Sequence, residues 1–235
     1  MESKRAEIID YLLVQMIEDV LKSGDKLPAE SDMSERFRTT RINVRKAMER
    51  LIEMGYIEFQ KNKGYFVKPK RKKLDLTMNG NESFSMKMKA MFMDYKSMNL
   101  GCEVIPYNQR IWTRLGIDKE QHVYQISRLR WIQNEPIALH VSYVSDYVFK
   151  SISSEGHDIE SMFDYYISQG HRAFTSRQSI LSISFPTLAE QKLFQCSGLI
   201  PLLMVETDCV DQVTGQVLEM TKILYKGDSF KYTMG

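Results

Sequence analysis

The sequence is short of the residues from which most catalytic and metal centres are built. Three cysteines occur in 235 residues, Cys102, Cys196 and Cys209, an odd number with wide spacing and no CxxC pair. That argues against a disulfide framework or a zinc site and makes a reducing cytoplasm the expected compartment. The four histidines, His122, His140, His157 and His171, have no metal-ligand spacing. No GxSxG elbow, HExxH pair, Walker loop or GxGxxG fingerprint occurs, so no catalytic residue, metal or cofactor is expected. Long apolar runs are missing too: the longest clean one, Leu199 to Val205, contains Pro201 and is far short of the ~20 residues a membrane span needs. The amino terminus alternates charged with apolar residues and shows no signal peptide.

What is present is a strong asymmetry of charge. The formal net charge of +2 hides it: residues 1–73 hold 17 Lys+Arg against 12 Asp+Glu, and the remainder 15 against 18. Positive charge gathered at one end is what a chain needs if that end meets a polyanion and the other does not. With 43% hydrophobic residues, the length suits one or two domains with real cores.

Between Thr39 and Gly55, the apolar residues Val44, Ala47, Met48, Leu51 and Ile52 fall at i, i+3, i+4, i+7 and i+8, one stripe of a helix. Thr39 or Thr40 can cap its start and Gly55 can close its end. Ile42, Arg45 and Lys46 point away from the stripe, flanked by Arg41 and Asn43, where a recognition helix touches bases. An ordinary amphipathic helix with a solvated face has the same pattern, and this helix alone does not separate the two.

The neighbours do. Ile8, Ile9, Leu12, Leu13, Met16, Val20 and Leu21 give a helix over Lys4 to Leu21, ended by the turn Ser23-Gly24-Asp25-Lys26. Leu27-Pro28-Ala29-Glu30 starts a short second helix, with Pro28 at an early helical position and Glu30 complementing the dipole. It ends near Phe37, and Arg38-Thr39-Thr40 connects it tightly to the third, a helix-turn-helix arrangement. Two short strands follow, Tyr56 to Gln60 and Gly64 to Val67, around Lys61-Asn62-Lys63. This is a wing: Asn62 and Gly64 tolerate positive φ, so the backbone can approach a phosphate while Lys61 and Lys63 supply charge.

These residues together resemble the GntR family of bacterial transcription regulators: Leu27-Pro28-Ala29-Glu30, then Thr40-Arg41-Ile42-Asn43-Val44-Arg45 with Ala47 and Leu51, Gly55, and Gly64-Tyr65-Phe66-Val67. The resemblance implies that Arg41 and Arg45 contact guanine edges or nearby phosphates. It also implies that Asn43 stands where a base- or phosphate-contacting threonine is common, and that the Asn62 turn enters the minor groove. The chain departs from the pattern at Ser31, where an arginine often follows the LPxE motif. It departs again at Ile42, where a small polar residue is usual and where a thymine-methyl contact and an idle surface isoleucine are equally open readings, and at Asn62, which replaces the first glycine of the wing.

Lys68-Pro69-Lys70-Arg71-Lys72-Lys73 cannot pack into a core and reads as a basic linker over 68–75, between domains at 1–67 and 76–235. In the second domain Ser83 to Asn99 is Met-rich with helical spacing. His122 to Ile132 and Ile137 to Val144 read as strands about the turn Gln133-Asn134-Glu135-Pro136. Helices follow at Asp158 to Ser168 and Thr187 to Ser197, the latter opened by a Thr187-x-x-Glu190 capping box and closed at Gly198. Strands at Leu202 to Val210 and Val217 to Tyr225 flank a turn holding Thr214-Gly215. The expected fold class is α+β, a mostly antiparallel sheet with packed helices. Arg128 and Arg130 share one strand face, as do Glu219 and Tyr225. A ligand face and a solvated outer face explain each pair equally.

Arg128-Leu129-Arg130, Glu135-Pro136-Ile137-Ala138, Ser142-Tyr143-Val144, Glu219-x-Thr221 and Tyr225-Lys226-Gly227-Asp228-Ser229-Phe230 resemble the UTRA effector domain of HutC-like GntR regulators, which is similar in fold to chorismate lyase. The resemblance implies a pocket lined by Ser85, Arg128, Arg130, Ser161, Glu219 and Tyr225, with Ser85 and Arg128 toward an anionic group. His140 stands where sugar-phosphate-binding relatives often have glutamate, and Phe163 where they often have tyrosine. The expected function is a repressor that binds a palindromic double-stranded operator as a homodimer and responds to a small anionic metabolite such as a phosphorylated sugar. The alternative is a lyase-like enzyme acting on a small carboxylate or phosphate.

Overall fold

In the computed structural model, which describes residues 2–69, 74–77, 88 and 94–233, the chain forms two compact units. The first comprises Met1–Lys73, Phe185–Gln191 and Cys196–Ile200; the second comprises Leu74–Ser184, Lys192–Gln195 and Pro201–Gly235.

The first unit is organised by α3 (Arg41–Glu53). Thr40 caps it, its hydroxyl accepting from the Asn43 N–H at 3.4 Å, and Gly55 takes φ +81° just past its end. Val44, Ala47, Met48 and Leu51 are fully buried, but Ile52 is 36% exposed and Asn43 is buried instead. At 100° per residue, the buried sector is turned by about 40° from the one hydrophobicity alone prescribes. Helix α1 (Glu2–Ile17) contributes Ile8, Leu12 and Met16 to the same core. It ends before Val20, which is exposed, and Asp19 at φ +54° carries the chain out of the helix. Helix α2 (Glu30–Arg36) starts later than its sequence implies: Ala29 is the extended N-cap, so Pro28 precedes the helix. The Pro28 ring disfavours helical backbone at Leu27, the residue before it, which keeps α2 from starting any earlier.

The wing pairs β1 (Ile57–Gln60) with β2 (Gly64–Val67), from Ile57 opposite Val67 to Gln60 opposite Gly64. Asn62 at φ +64° and Gly64 at φ +105° make the turn, closed by the Lys63 N–H donating to the Gln60 carbonyl at 3.0 Å.

The second unit is built on a seven-stranded antiparallel sheet. Its strands are β4 (Tyr95–Val104), β5 (Val123–Ile132), β6 (Glu135–Ser145), β7 (Phe174–Thr175), β8 (Ile180–Ser184), β9 (Leu202–Asp211) and β10 (Val217–Lys226). The order is β4-β5-β6-β10-β9-β7, with β8 also on β9. Strand β3 (Leu74–Thr77) pairs in parallel with β11 (Phe230–Thr233). The β5–β6 turn is tighter than expected: Gln133 and Asn134 both take positive φ, the two-residue hairpin geometry, so β6 begins at Glu135. Of the helix expected over Ser83 to Asn99, residues 83–87 and 89–93 lie outside the described residues. From Tyr95 onward the chain is strand β4, whose ten residues pair along β5.

One face of the sheet carries α4 (Gln109–Leu115), whose Ile111, Trp112 and Leu115 pack on Val123, Val210, Val217 and Met220. The other is covered at one end by α5 (Ile152–Glu155) and α6 (Met162–Ser168), through Ile152, Met162, Tyr165 and Tyr166 with Phe149. At its other end Met88 and Phe230 cluster with Ala138, Val205 and Tyr225. The capping box at α7 (Leu188–Phe194) forms as expected: the Thr187 N–H donates to Glu190 Oε2 at 2.7 Å, and the Glu190 N–H to the Thr187 hydroxyl at 3.3 Å.

The β9–β10 turn is tied by Asp211. One carboxylate oxygen accepts from the N–H groups of Val213 and Thr214 at 2.7 and 3.0 Å, and the other bonds Nδ1 of His171. These contacts, the His171 bond first, hold the Asp211 carboxyl down at about 2. A depressed carboxyl stabilises the fold fully above its unfolded value of about 4 and loses that contribution as pH falls toward the folded value. Asp211→Asn is therefore expected to melt below the parent protein at pH 5 to 7, with the gap in Tm closing as pH falls from about 4 toward about 2. A gap that stays constant across this range in thermal melts would contradict the assignment.

Candidate functional site

The first candidate surface lies on the outer side of α3 and the tip of the wing. With the apolar stripe buried, Arg41, Ile42, Arg45 and Lys46 are all exposed, Ile42 at 68%. At the wing tip Lys61, Asn62 and Lys63 are exposed and Gly64 half-buried. Their arrangement gives five cationic side chains, one apolar side chain and an open turn, the inventory for phosphate contact and groove readout.

Asn43 differs from expectation. It is 6% exposed; its Nδ2 donates to the Thr39 hydroxyl at 2.9 Å and its Oδ1 accepts from Arg5 Nε at 3.1 Å. Those bonds fasten α1 to the start of α3 and leave the amide facing inward. Sequence reasoning also passed over Glu30 as a site residue. Its carboxylate accepts from Arg45 Nε at 3.2 Å and Nη2 at 3.1 Å, and from the Tyr65 hydroxyl at 3.1 Å. The Arg45 bonds hold the Glu30 carboxyl below its ordinary range. Burial, then the bond to Glu30, pushes the Tyr65 hydroxyl up.

The second candidate site is the centre of the helix-covered sheet face. Register places Arg128 opposite His140, Arg130 opposite Ala138 and Ser142 opposite Thr221, with Ala138 opposite Tyr225 on β10. Directly opposed residues share a face. Arg128, Arg130, His140, Glu219 and Tyr225 are thus brought together, and all five are buried. Ser142 and Thr221, which the sequence offered as motif residues but not as pocket residues, belong with them: Arg128 Nη2 donates to the Ser142 hydroxyl, which lies 3.4 Å from that of Thr221. The period-two spacing from His140 to Ser142 and from Glu219 to Thr221 was the available signal.

Burial dominates the electrostatics here. It lowers the Arg128 pKa, partly offset by Glu219, and brings Arg130 down to about 9 with help from the like charge of Arg128. His140 lies well below its usual value, because of burial first and then the two guanidiniums, so it is neutral at physiological pH. Arg128 Nε is buried without a hydrogen-bond partner among the described residues. Glu219 acts on the charge of Arg128 and Glu160 on that of Arg130, and a buried guanidinium is a donor set suited to a carboxylate or phosphate.

Two expected pocket residues have other local roles. Ser85 lies outside the described residues. Ser161 is the N-cap of α6, accepting from the Asp164 N–H at 3.3 Å, and lines an open cleft of about 860 Å³ with Tyr95, Ser97 and Glu160, where Ser97 stands opposite Arg130 in the β4–β5 register. Phe163 packs on Phe174 and Tyr166, with ring centroids 4.9 and 6.2 Å apart, at the margin of the apolar cluster. Among the described residues no group of His, Cys, Asp and Glu could hold a metal, and no helix is long and apolar enough to cross a membrane.

Comparison with known proteins identifies both parts of the chain. Residues 4–67 match the model of bacterial regulatory proteins of the gntR family, and residues 90–231 match the UTRA domain. The chain is 27% identical to the mannosyl-D-glycerate transport/metabolism system repressor MngR of Escherichia coli K12, over 97% of this chain and 93% of that protein. It is 30% identical to the HTH-type regulator YurK of Bacillus subtilis 168, over 78% and 77%, and 23% identical to the repressor NagR of the same organism, over 95% and 93%. In fold it is similar to the crystal structure of PhnF from Mycobacterium smegmatis, with a TM-score of 0.60 at 21% identity, covering 97% of this chain and 96% of that one. These relatives are regulators, and nothing among them supports the lyase-like alternative. The chain belongs to the GntR family of bacterial transcriptional regulators and carries, after its winged helix-turn-helix, a UTRA domain.

Proposed function

We propose that the protein represses transcription by binding a palindromic duplex operator as a homodimer, and that a small anionic metabolite seated on the Arg128–Arg130 face changes its operator affinity. The observation that carries the first half is the exposure of Arg41, Ile42, Arg45 and Lys46 beside the cationic wing tip. A two-fold dimer matches two such surfaces to half-sites related by the same symmetry. The observation that carries the second half is the burial of two guanidiniums, Arg128 and Arg130, on one sheet face beside the hydroxyls of Ser142 and Thr221. Guanidinium forks suit phosphate and carboxylate, and a phosphorylated sugar is our first candidate. MngR, named for a mannosyl-glycerate system, points in the same chemical direction, since glycerate is a carboxylate. The metabolite must bind the DNA-competent and DNA-incompetent states with different affinity, because equal affinity would shift nothing.

Several measurements bear on this reading. With about six phosphates neutralised per dimer complex, log affinity for duplex DNA should fall against log salt with a slope of about −5 or steeper. A slope near zero would remove the phosphate contacts. Asn43→Ala should lower stability by about 1 kcal/mol, through loss of the Thr39 and Arg5 bonds, without changing which base pairs the protein prefers. A changed base preference at unchanged Tm would return Asn43 to the interface.

For the effector, a thermal-shift screen of phosphorylated and carboxylated sugars should yield a stabilising anion. Arg130→Met should remove the anion-induced shift while leaving DNA affinity in the absence of anion intact. Stabilisation that persists in Arg130→Met would place the ligand elsewhere.

A further inference from the structure

The first unit contains a contact that a simple list of DNA-facing cations does not explain: Arg45, the most central of them, is already in an ion pair. Glu30 takes it by one edge only, through Nε at 3.2 Å and Nη2 at 3.1 Å. A guanidinium has two forks. The lateral fork, Nε with one Nη, is occupied, while the terminal fork, Nη1 with Nη2, has hydrogens to spare and belongs to a side chain 61% exposed.

Glu30 is itself held. The Tyr65 hydroxyl on β2 donates to its Oε1 at 3.1 Å, the Tyr65 ring lies 5.2 Å from that of Phe59, and the Tyr65 carbonyl accepts from the Leu27 N–H at 2.9 Å. Its carboxyl is kept ionised by the Arg45 bonds. The carboxylate thus joins the start of α2, the recognition helix and the wing strand.

We propose that Glu30 is a positioning residue for base recognition: it fixes Arg45 by the lateral fork so that the terminal fork is presented to a guanine edge. Three consequences of the geometry favour guanine over phosphate. The O6 and N7 acceptors of guanine match the terminal fork bidentately. A guanidinium clamped at one edge loses little further freedom on binding, so the match is directional. A phosphate at the same place would bring its negative charge up to the Glu30 carboxylate, whereas a guanine edge is neutral. Arg45 therefore specifies sequence and adds little to non-specific attraction, which is left to the unpaired cations at Arg41, Lys46, Lys61 and Lys63. This inference rests on the DNA-binding reading above and assigns one residue its part in it.

The test starts from a pool of short duplexes randomised along their length, from which the full chain selects its preferred sequence. Affinities of the parent protein, Glu30→Gln, Tyr65→Phe and Arg45→Ala are then measured for the selected duplex, for versions with each guanine replaced in turn, and for an unselected duplex. For Glu30→Gln we expect one guanine position to lose its discrimination, by roughly 5- to 150-fold, while affinity for the unselected duplex rises because a negative charge has gone. Tyr65→Phe should shift the same position in the same direction by less. In Arg45→Ala that position should be read no better than in Glu30→Gln, and the double variant should add nothing further. The proposal is overturned if Glu30→Gln weakens selected and unselected duplexes equally with every guanine still discriminated, or if the selected duplex contains no guanine that depends on Arg45. Failure of the parent protein to enrich any sequence, or to bind any duplex, would defeat the DNA-binding reading itself, a result distinct from either.

Discussion

The rotation of α3 about its own axis decides what the amino-terminal unit can do. Burying Val44, Ala47, Met48 and Leu51 against Ile8, Leu12 and Met16 fixes that rotation, and close packing leaves it no freedom. Once fixed, it determines that Arg41, Ile42, Arg45 and Lys46 look outward. The Asn43 bonds to Thr39 and Arg5 add a polar lock at the same end of the helix. Because a buried amide without partners would cost ~1–3 kcal/mol, Asn43, bonded through both its oxygen and its nitrogen, selects one helix orientation over others of similar apolar burial. The exposed cationic surface is thus a consequence of the core, and on its solvent side Glu30 and Tyr65 fasten Arg45.

The same logic, with a period of two, builds the second site. Alternation along β5, β6 and β10 sends Arg128, Arg130, His140, Ser142, Glu219, Thr221 and Tyr225 to one face, where apolar clusters cover both ends. Burial is the largest influence on these groups, lowering Arg128, Arg130 and His140 alike. Under the proposed function, such a patch would favour anions over neutral ligands, because an anion offsets the desolvation of buried guanidiniums.

Much of this was legible in the sequence where a residue's role follows from local periodicity. The three helices, the Asn62 turn, the Thr187–Glu190 box and the Arg128–Arg130 pairing of faces all rest on contacts within a few positions. What escaped depends on partners remote in sequence. Asn43 and Ile52 flank the apolar stripe on opposite sides, and only Arg5 and Thr39 pull the first inward and leave the second half out. The Met-rich stretch read as helical extended to Asn99, yet from Tyr95 onward β5 offered a ten-residue edge and strand pairing won. Glu30 read as a dipole complement, because nothing local reveals that Arg45 and Tyr65, 15 and 35 positions away, converge on it. Strand β8 is too short for its pattern to be told from a loop, and it exists through β9. Ser161 and Phe163 carried a family role by position, while in this chain one caps a helix and the other packs in an aromatic cluster.

The central claim, that the outer face of α3 and the wing tip grip a duplex, is tested most directly by amide hydrogen exchange on the full chain with and without heterogeneous duplex DNA at low salt. The account requires added protection across residues 40–46 and 61–64, with the β5, β6 and β10 strands exchanging as in the free protein. Protection confined to those sheet strands, or none at α3 and the wing while DNA is bound, would contradict it.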